Sequence, residues 1–115
     1  MTSYNKINGV WGHYNYELCE MILRREWGYE GNIMTDWWMR SSKSPEFPKM
    51  RDQAYRVRAG VNVLMPGGSR GSKRKPDGTL LKTYKKPDGI TLGELQRNAE
   101  WVLRFIVNSQ AMNRL

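Results

Sequence analysis

The feature that most constrains the fold is an alternation of short strand-like runs with helical periods. β-favouring or apolar runs occupy residues 1–5, 32–37 and 61–65, and helical patterns occupy residues 16–28, 51–60 and 91–112. Alternation of this kind is typical of an α/β protein in which helices cover parallel strands. With right-handed crossovers, the order predicts either part of a doubly wound sheet or an arc of a (β/α)8 barrel.

The first helical pattern, residues 16–28, has one apolar face. Its members are Leu18, Cys19, Ile22 and Leu23. Glu20 and Arg24 fall largely off that face, and their spacing of four residues lets them pair. Asn15 is a candidate N-cap and Gly28 a candidate C-terminal stop.

The last helical pattern is the clearest. It opens on Thr91 and Glu94 at capping-box spacing and continues with an apolar stripe that includes Leu95, Asn98 and Val102. We therefore expect residues 91–112 to form the closing helix of a single unit that spans residues 1–115.

The net charge of +8 is concentrated between Gly67 and Gly89, where seven basic residues face two acidic ones. The tetrapeptide Lys-Pro-Asp-Gly occurs there twice, and Pro-Asp-Gly is typical of turns. We interpret residues 67–90 as a basic loop insertion with long solvated side chains. Tyr84 among lysines leaves open a nucleic-acid-binding module over residues 69–86, although the loop interpretation is favoured.

The sequence lacks the cysteine and histidine residues that disulfide bonds and common metal sites require. A single cysteine, Cys19, excludes an internal disulfide and a cysteine-rich zinc site, and its helical position predicts a buried, inert thiol. The single histidine, His13, has no partner at metal-ligand spacing and is expected in an exposed loop. We therefore predict no metal and no cofactor. No run is long enough to span a membrane, and no signal peptide opens the chain.

Asp36 ends the second strand-like run and is followed at once by Trp37 and Trp38. Parallel architectures bind ligands at the carboxyl ends of their strands. Indole rings stack on sugar faces and exclude water, which strengthens the stabilisation of a cationic transition state by a carboxylate. The residues alone therefore allow two roles for Asp36. A capping or turn-forming role is the simpler one, and catalysis of glycoside hydrolysis is the other.

Three motifs occur in order: "MTSYNKINGV" at 1–10, "LRREWGYEGNIMTDWW" at 23–38 and "RAGVNVLMPGG" at 58–68. Together they resemble glycoside hydrolase family 3, which includes many β-glucosidases and β-xylosidases. The resemblance implies a fragment from the C-terminal part of the N-terminal barrel domain. The expected fold is thus a partial (β/α)8 arc of about three parallel strands and three helices, with long loops at the strand C-terminal ends.

The resemblance also implies roles for individual residues. Asp36 matches the catalytic nucleophile of a retaining β-glycosidase, Trp37 lines the glycone subsite, and Tyr4 and Met65 lie near the nucleophile. Thr35 stands where the family usually has Ser. Asn62 stands where the family often has Asp.

The resemblance places the acid/base and several sugar-binding residues outside this chain. We therefore expect no turnover by the chain alone, and stability only through the remainder of the parent enzyme or self-association at exposed strand edges. The expected substrate is a β-linked oligosaccharide or glycoside, with glucose and xylose not distinguished. A non-catalytic sugar-binding or assembly fragment is the alternative, and the motifs assign no cellular compartment.

Overall fold

The computed structural model describes residues 1–37, 53–66, 79–87 and 89–112. The described elements follow this order: strands β1 (Lys6–Ile7) and β2 (Val10–Trp11), a 3₁₀ turn (Gly12–Tyr14), a π-helix (Glu17–Glu26), and helices α1 (Gln53–Arg58), α2 (Thr79–Lys82) and α3 (Leu92–Val107). Trp38, the predicted loop that follows it and most of the basic loop insertion lie outside these residues.

β1 and β2 form a tight antiparallel hairpin around Asn8 and Gly9. Both turn residues have positive φ angles, 50° and 83°, and pairing joins Lys6 to Trp11 and Ile7 to Val10. Asn-Gly favours this conformation because both residues tolerate positive φ, and the resulting twist matches that of the strands. The sequence predicted only a loop here and placed the strand at residues 1–5, so the first strand was predicted in the wrong place.

The helix predicted over residues 16–28 is present, but it is wound with the wider π pattern. The amide of Trp27 donates to the carbonyl of Ile22, five residues back. Asn15 Oδ1 accepts a hydrogen bond from the amide of Leu18, and Gly28 has a φ of +66°, so the predicted cap and stop are confirmed. π-Helices are usually confined to single turns, which makes this ten-residue helix unusual.

The predicted arc of three parallel strands is wrong. Among the described residues the only sheet is the two-stranded antiparallel hairpin. The segments that carry Met34 and Val63 run side by side, but they form one isolated parallel bridge and no regular strand. Residues 1–5 contribute one backbone bond to the same region, from the Thr2 amide to the Met34 carbonyl at 2.8 Å. The described residues therefore do not form part of a barrel.

Side chains interrupt the backbone ladder that the sequence pattern predicted. The Ile33 amide donates to the side-chain oxygen of Asn62 at 2.9 Å. The Met65 amide likewise donates to the Thr35 hydroxyl at 2.8 Å. A strand ladder needs backbone partners in alternation, and polar side chains that take these positions end it after one bridge.

The core consists of two small groups of buried residues. One contains Tyr14, Ala54, Tyr55, Val57 and Ile90, and the other contains Cys19, Ile33 and Val61. Leu64 packs against both groups and so joins them. Cys19 is buried, as predicted.

Helix α3 lies on this core through polar contacts more than apolar ones. Its N-terminal capping box, Thr91 with Glu94, is confirmed. Glu94 pairs with Arg58, and Arg97 donates to the carbonyls of residues 57 and 58. No residue of α3 is fully buried, and its apolar side chains Leu92, Leu103, Phe105, Ile106 and Val107 are exposed.

Over the described residues, no helix combines the length and apolarity that crossing a membrane requires.

Candidate functional site

The candidate site begins with the extended segment that carries Ile33, Met34 and Thr35. The Thr35 amide donates to the Val63 carbonyl at 2.9 Å, and the Val63 amide donates to the Ile33 carbonyl at 3.1 Å. The Thr2 amide donates to the Met34 carbonyl at 2.8 Å. The segment is thus bonded to two other parts of the chain that are distant in sequence, and Asp36 follows it directly.

Thr35 is the most enclosed residue at this point, with no exposed surface. Its hydroxyl accepts the hydrogen bond from the Met65 amide. Backbone and side chain of one residue therefore bond to neighbouring residues of the 61–65 segment. This arrangement brings Met65 alongside the residue that precedes Asp36.

Asp36 itself is half-buried, and its Oδ1 accepts a hydrogen bond from the Trp37 amide at 2.7 Å. This contact is the backbone-capping role that the sequence left open. It occupies one carboxylate oxygen, and within the described part of the chain Oδ2 has no hydrogen bond. A carboxylate held in this way keeps one oxygen for other chemistry.

Tyr4 completes the group, because its hydroxyl donates to the Trp37 carbonyl. Tyr4 is about half exposed, and Trp37 is half-buried. Tyr4 and Met65, predicted as site residues from separate motifs, therefore lie close to Asp36 and Trp37. Their catalytic and sugar-binding roles stay predictions.

A second polar cluster, which the sequence did not predict, lies behind this segment. Arg24 is 7% exposed, and its Nη2 donates to Asn62 Oδ1 at 2.6 Å. The same Asn62 oxygen accepts the Ile33 amide, and Asn62 Nδ2 donates to Asn98 Oδ1 at 2.9 Å. One buried amide side chain thus links the π-helix, the segment before Asp36 and helix α3.

The positive charge of Arg24 is offset by the Glu20 carboxylate and is further stabilised by contact with an aromatic ring. Glu20 Oε1 lies 3.7 Å from Arg24 Nε and 3.9 Å from Arg97 Nε. The Arg24 guanidinium stands 3.8 Å from the ring centroid of Trp101. Burial lowers the pKa of Arg24, and the Glu20 carboxylate offsets part of that effect.

The helical period placed Glu20 and Arg24 off the apolar face, yet both are buried, and their predicted pairing is confirmed. Two signals in the sequence indicated buried polar partners. Asn62 interrupts an apolar run, and Asn98 falls on the apolar stripe of the last helix. A polar residue at such a position must find a hydrogen bond once it is buried.

The two remaining reactive side chains are both buried. His13 was predicted to be exposed, but it is 3% exposed and packs against Tyr14, with ring centroids 4.3 Å apart. Burial, reinforced by the charge of Arg56, lowers the pKa of His13 to about 4. Burial together with the Glu20 carboxylate raises the pKa of Cys19 to about 11, which fits the predicted inert thiol. Over the described ranges no group of three potential metal-binding side chains is found.

Sequence and structure comparisons relate the chain to the glycoside hydrolases. It is similar to one segment of several β-glucosidases, and it spans about 12% of their length. No protein-family model matches the chain.

The individual matches cover nearly the whole chain. A β-glucosidase from Ruminococcus albus is 38% identical over 117 residues, which cover 99% of this chain and 12% of that protein. Probable β-glucosidase K from Aspergillus fumigatus is 33% identical over 106 residues, or 92% of this chain and 12% of that protein. The crystal structure of a β-glucosidase from Paenibacillus barengoltzii superimposes with a TM-score of 0.65 at 32% identity, over 93% of this chain and 12% of that one. These similarities support a glycoside hydrolase fragment.

Proposed function

We propose that this chain is the nucleophile-bearing segment of a retaining β-glycosidase of glycoside hydrolase family 3. The observation that supports the proposal is a set of contacts among three separate sequence motifs: Tyr4 bonds to Trp37, the Trp37 amide bonds to Asp36, and the Met65 amide bonds to Thr35, which precedes Asp36. The similarity to β-glucosidases over 99% of the chain supports the proposed substrate class, a terminal β-linked glucose or a related sugar.

In the proposed reaction, Asp36 Oδ2 attacks the anomeric carbon of the bound sugar. The bond from that carbon to the leaving-group oxygen breaks, and the oxygen takes a proton from a separate carboxylic acid. Water then cleaves the glycosyl–aspartate ester and gives its proton to the same acid, so the β configuration is retained. The Trp37 amide, which donates to Asp36 Oδ1, stabilises the ionised carboxylate before attack and after release.

The neighbouring residues contribute positioning. The Tyr4 hydroxyl, bonded to the Trp37 carbonyl, ties the first motif to the residue after the nucleophile. The Trp37 indole supplies an apolar face against which a sugar ring stacks. Holding reacting atoms about 3–3.5 Å apart with the right alignment can remove about 7–11 kcal/mol from a reaction barrier, and we propose that these contacts contribute to such alignment.

The proposal includes inactivity of the 115-residue chain alone. Retaining hydrolysis needs an acid/base carboxylate as well as the nucleophile. The buried or half-buried glutamates of the described residues are engaged with arginines: Glu20 with Arg24 and Arg97, and Glu94 with Arg58. We infer from the family resemblance that the acid/base comes from another part of a complete enzyme.

A chimaera tests the proposal. Residues 1–115 replace the matching segment of the Ruminococcus albus relative, and hydrolysis of an aryl β-glucoside is measured. We expect Asp36→Ala to reduce kcat by at least about 10⁴-fold, because the covalent step loses its nucleophile. Glu30→Gln, at an exposed carboxylate, is the matched control and should leave kcat unchanged.

Azide distinguishes the nucleophile from the acid/base. Added azide should restore turnover of Asp36→Ala and yield the α-glucosyl azide, because a single displacement inverts the anomeric carbon. Formation of the β-glucosyl azide would show instead that Asp36 is the acid/base. Retention of full activity by Asp36→Ala would rule out any catalytic role for this residue.

A further inference from the structure

Thr35 occupies an unusual place at the candidate site. It has no exposed surface and directly precedes Asp36. Its amide donates to the Val63 carbonyl, and its hydroxyl accepts from the Met65 amide. The two partners, Val63 and Met65, lie two residues apart on the same neighbouring segment. Thr35 therefore holds this segment against the chain just before the Asp36 carboxylate.

In a regular parallel ladder the Met65 amide would donate to the carbonyl of Thr35, and here it donates to the Thr35 hydroxyl instead. If Thr35 had an apolar side chain of the same shape, the amide of Met65 would lose this acceptor. The segment could then slide relative to Asp36, because the last described backbone bond between the two is the one at Val63. Upstream of Thr35 the segments keep their other contacts, which include the bond from the Ile33 amide to Asn62.

We propose that the Thr35 hydroxyl is a positioning group that sets the distance between Met65 and the Asp36 carboxylate. The inference rests on the proposed function and adds a residue that does not itself touch the sugar. Its physical basis is that a shift of about 1 Å in a reacting group can cost about 100-fold in rate. Loss of the Thr35 hydroxyl should therefore lower the turnover rate of each correctly folded site, while the number of such sites stays nearly unchanged.

Three substitutions separate the hydroxyl from the bulk of the side chain. Thr35→Val keeps the shape and removes the acceptor. Thr35→Ser keeps the acceptor and removes a methyl group. Thr35→Cys removes the methyl group and replaces the oxygen with sulfur, a weak acceptor, so that its comparison with Thr35→Ser provides a second test if Thr35→Val does not fold.

The experiment uses the chimaera described above and counts the working sites directly. An activated 2-deoxy-2-fluoro-glucoside releases one leaving group per competent nucleophile, so the burst amplitude gives the fraction of active sites. The kcat for an aryl β-glucoside is then expressed per titrated site, with KM determined in parallel. We expect Thr35→Val, and to a smaller extent Thr35→Cys, to lower kcat per site by at least about tenfold, as expected for a displaced reacting group. Thr35→Ser should stay within about threefold of the parent.

Each result has one meaning. A smaller burst amplitude for Thr35→Val with unchanged kcat per site would assign Thr35 a purely structural role and overturn the inference. A loss of kcat per site for Thr35→Ser, with Thr35→Val unchanged, would show that the methyl group matters and the hydroxyl does not, and would overturn the inference. If Asp36→Ala remains active, the proposed function fails. If Asp36→Ala is inactive while Thr35→Val is normal per site, the inference about Thr35 alone fails.

Discussion

Acidification should destabilise this protein through His13. The imidazole is almost completely buried, and a hydrogen bond with the backbone of Ser3 only partly offsets the loss of solvation. Trp11 stacks on one side, with ring centroids 6.2 Å apart, and Tyr14 lies on the other. The Arg56 guanidinium stands 5.4 Å from the Tyr14 ring centroid, so a second positive charge at His13 would be close to an existing one.

The magnitude follows from the difference between the folded and unfolded pKa values. Burial first, then the charge of Arg56, lower the pKa of His13 from 6.5 to about 4, and the backbone of Ser3 opposes this in part. The unfolded chain therefore binds a proton below pH 6.5 that the folded chain does not bind until about pH 4. Stability contributed by neutral His13 is complete above pH 6.5 and is lost as the pH falls towards 4. The loss is about 2 kcal/mol at pH 5 and about 3 kcal/mol in total.

The assay benefits from the single histidine of the sequence, which gives one unambiguous imidazole resonance. Titration of that resonance by NMR should yield a pKa near 4 in the folded chain. Urea unfolding of the parent and of His13→Phe, followed by tryptophan fluorescence at pH 7 and pH 5, measures the linked free energy. The free energy of unfolding of the parent should fall by about 2 kcal/mol more than that of the variant. A folded pKa at or above 6.5, or identical pH dependence in the two proteins, would refute the reasoning.

The remaining predictions concern free energies of unfolding, compared in pairs by urea denaturation. Glu94→Gln should cost about 1.5–3 kcal/mol, since Glu94 is paired and partly buried, whereas Glu100→Gln on the exposed face of α3 should cost less than about 0.5. Gly60→Ala should cost about 2–3 kcal/mol, because φ is +100° and the new Cβ would lie 2.5 Å from a carboxylate oxygen. Gly93→Ala, in open helix, should stabilise by about 0.5–1 kcal/mol. Asn62→Leu should cost about 3–5 kcal/mol, because it removes one acceptor of the buried Arg24 guanidinium and the acceptor of the Ile33 amide, and Asn62→Asp should cost less than about 1. Equal effects within any pair would contradict the corresponding argument.

One pH effect beyond that of His13 is expected at Glu94. Burial alone would raise its pKa, but the hydrogen bonds from Arg58 and Thr91 outweigh burial and lower it. The stability that ionised Glu94 contributes is therefore complete above the ordinary glutamate pKa and is lost as the pH falls below it. This loss begins at a lower pH than the loss caused by His13. The Glu94→Gln variant should consequently lose part of the steep acid transition that the parent shows below about pH 4.5.

Local sequence determined the ends of two helices of this protein, the π-helix and α3. The capping box at Thr91, the cap at Asn15 and the stop at Gly28 each depend on neighbours within a few residues, and each is found where it was predicted. The Asn8–Gly9 turn depends equally on local preferences. Its hairpin was overlooked because the strands on either side are only two residues long.

The order of motifs likewise indicated which residues belong together at the candidate site. Tyr4 and Trp37 are 33 residues apart and are in contact. Thr35 and Met65 are 30 residues apart and share a hydrogen bond. The resemblance to a glycosidase family implied only that Tyr4 and Met65 lie near Asp36, and it did not predict these particular pairs.

Only the tertiary structure decided burial and the course of the strands. Periodicity placed Arg24 on an outer face, and a loop position suggested an exposed His13, yet both are buried. The parallel ladder expected along residues 32–37 and 61–65 is reduced to one bridge, because Asn62 and Thr35 take the backbone amides of Ile33 and Met65. Helical propensity and capping act over one or two turns and can be read along the chain. Which side chain fills a hydrogen-bonding position depends on segments that meet only after the chain has folded.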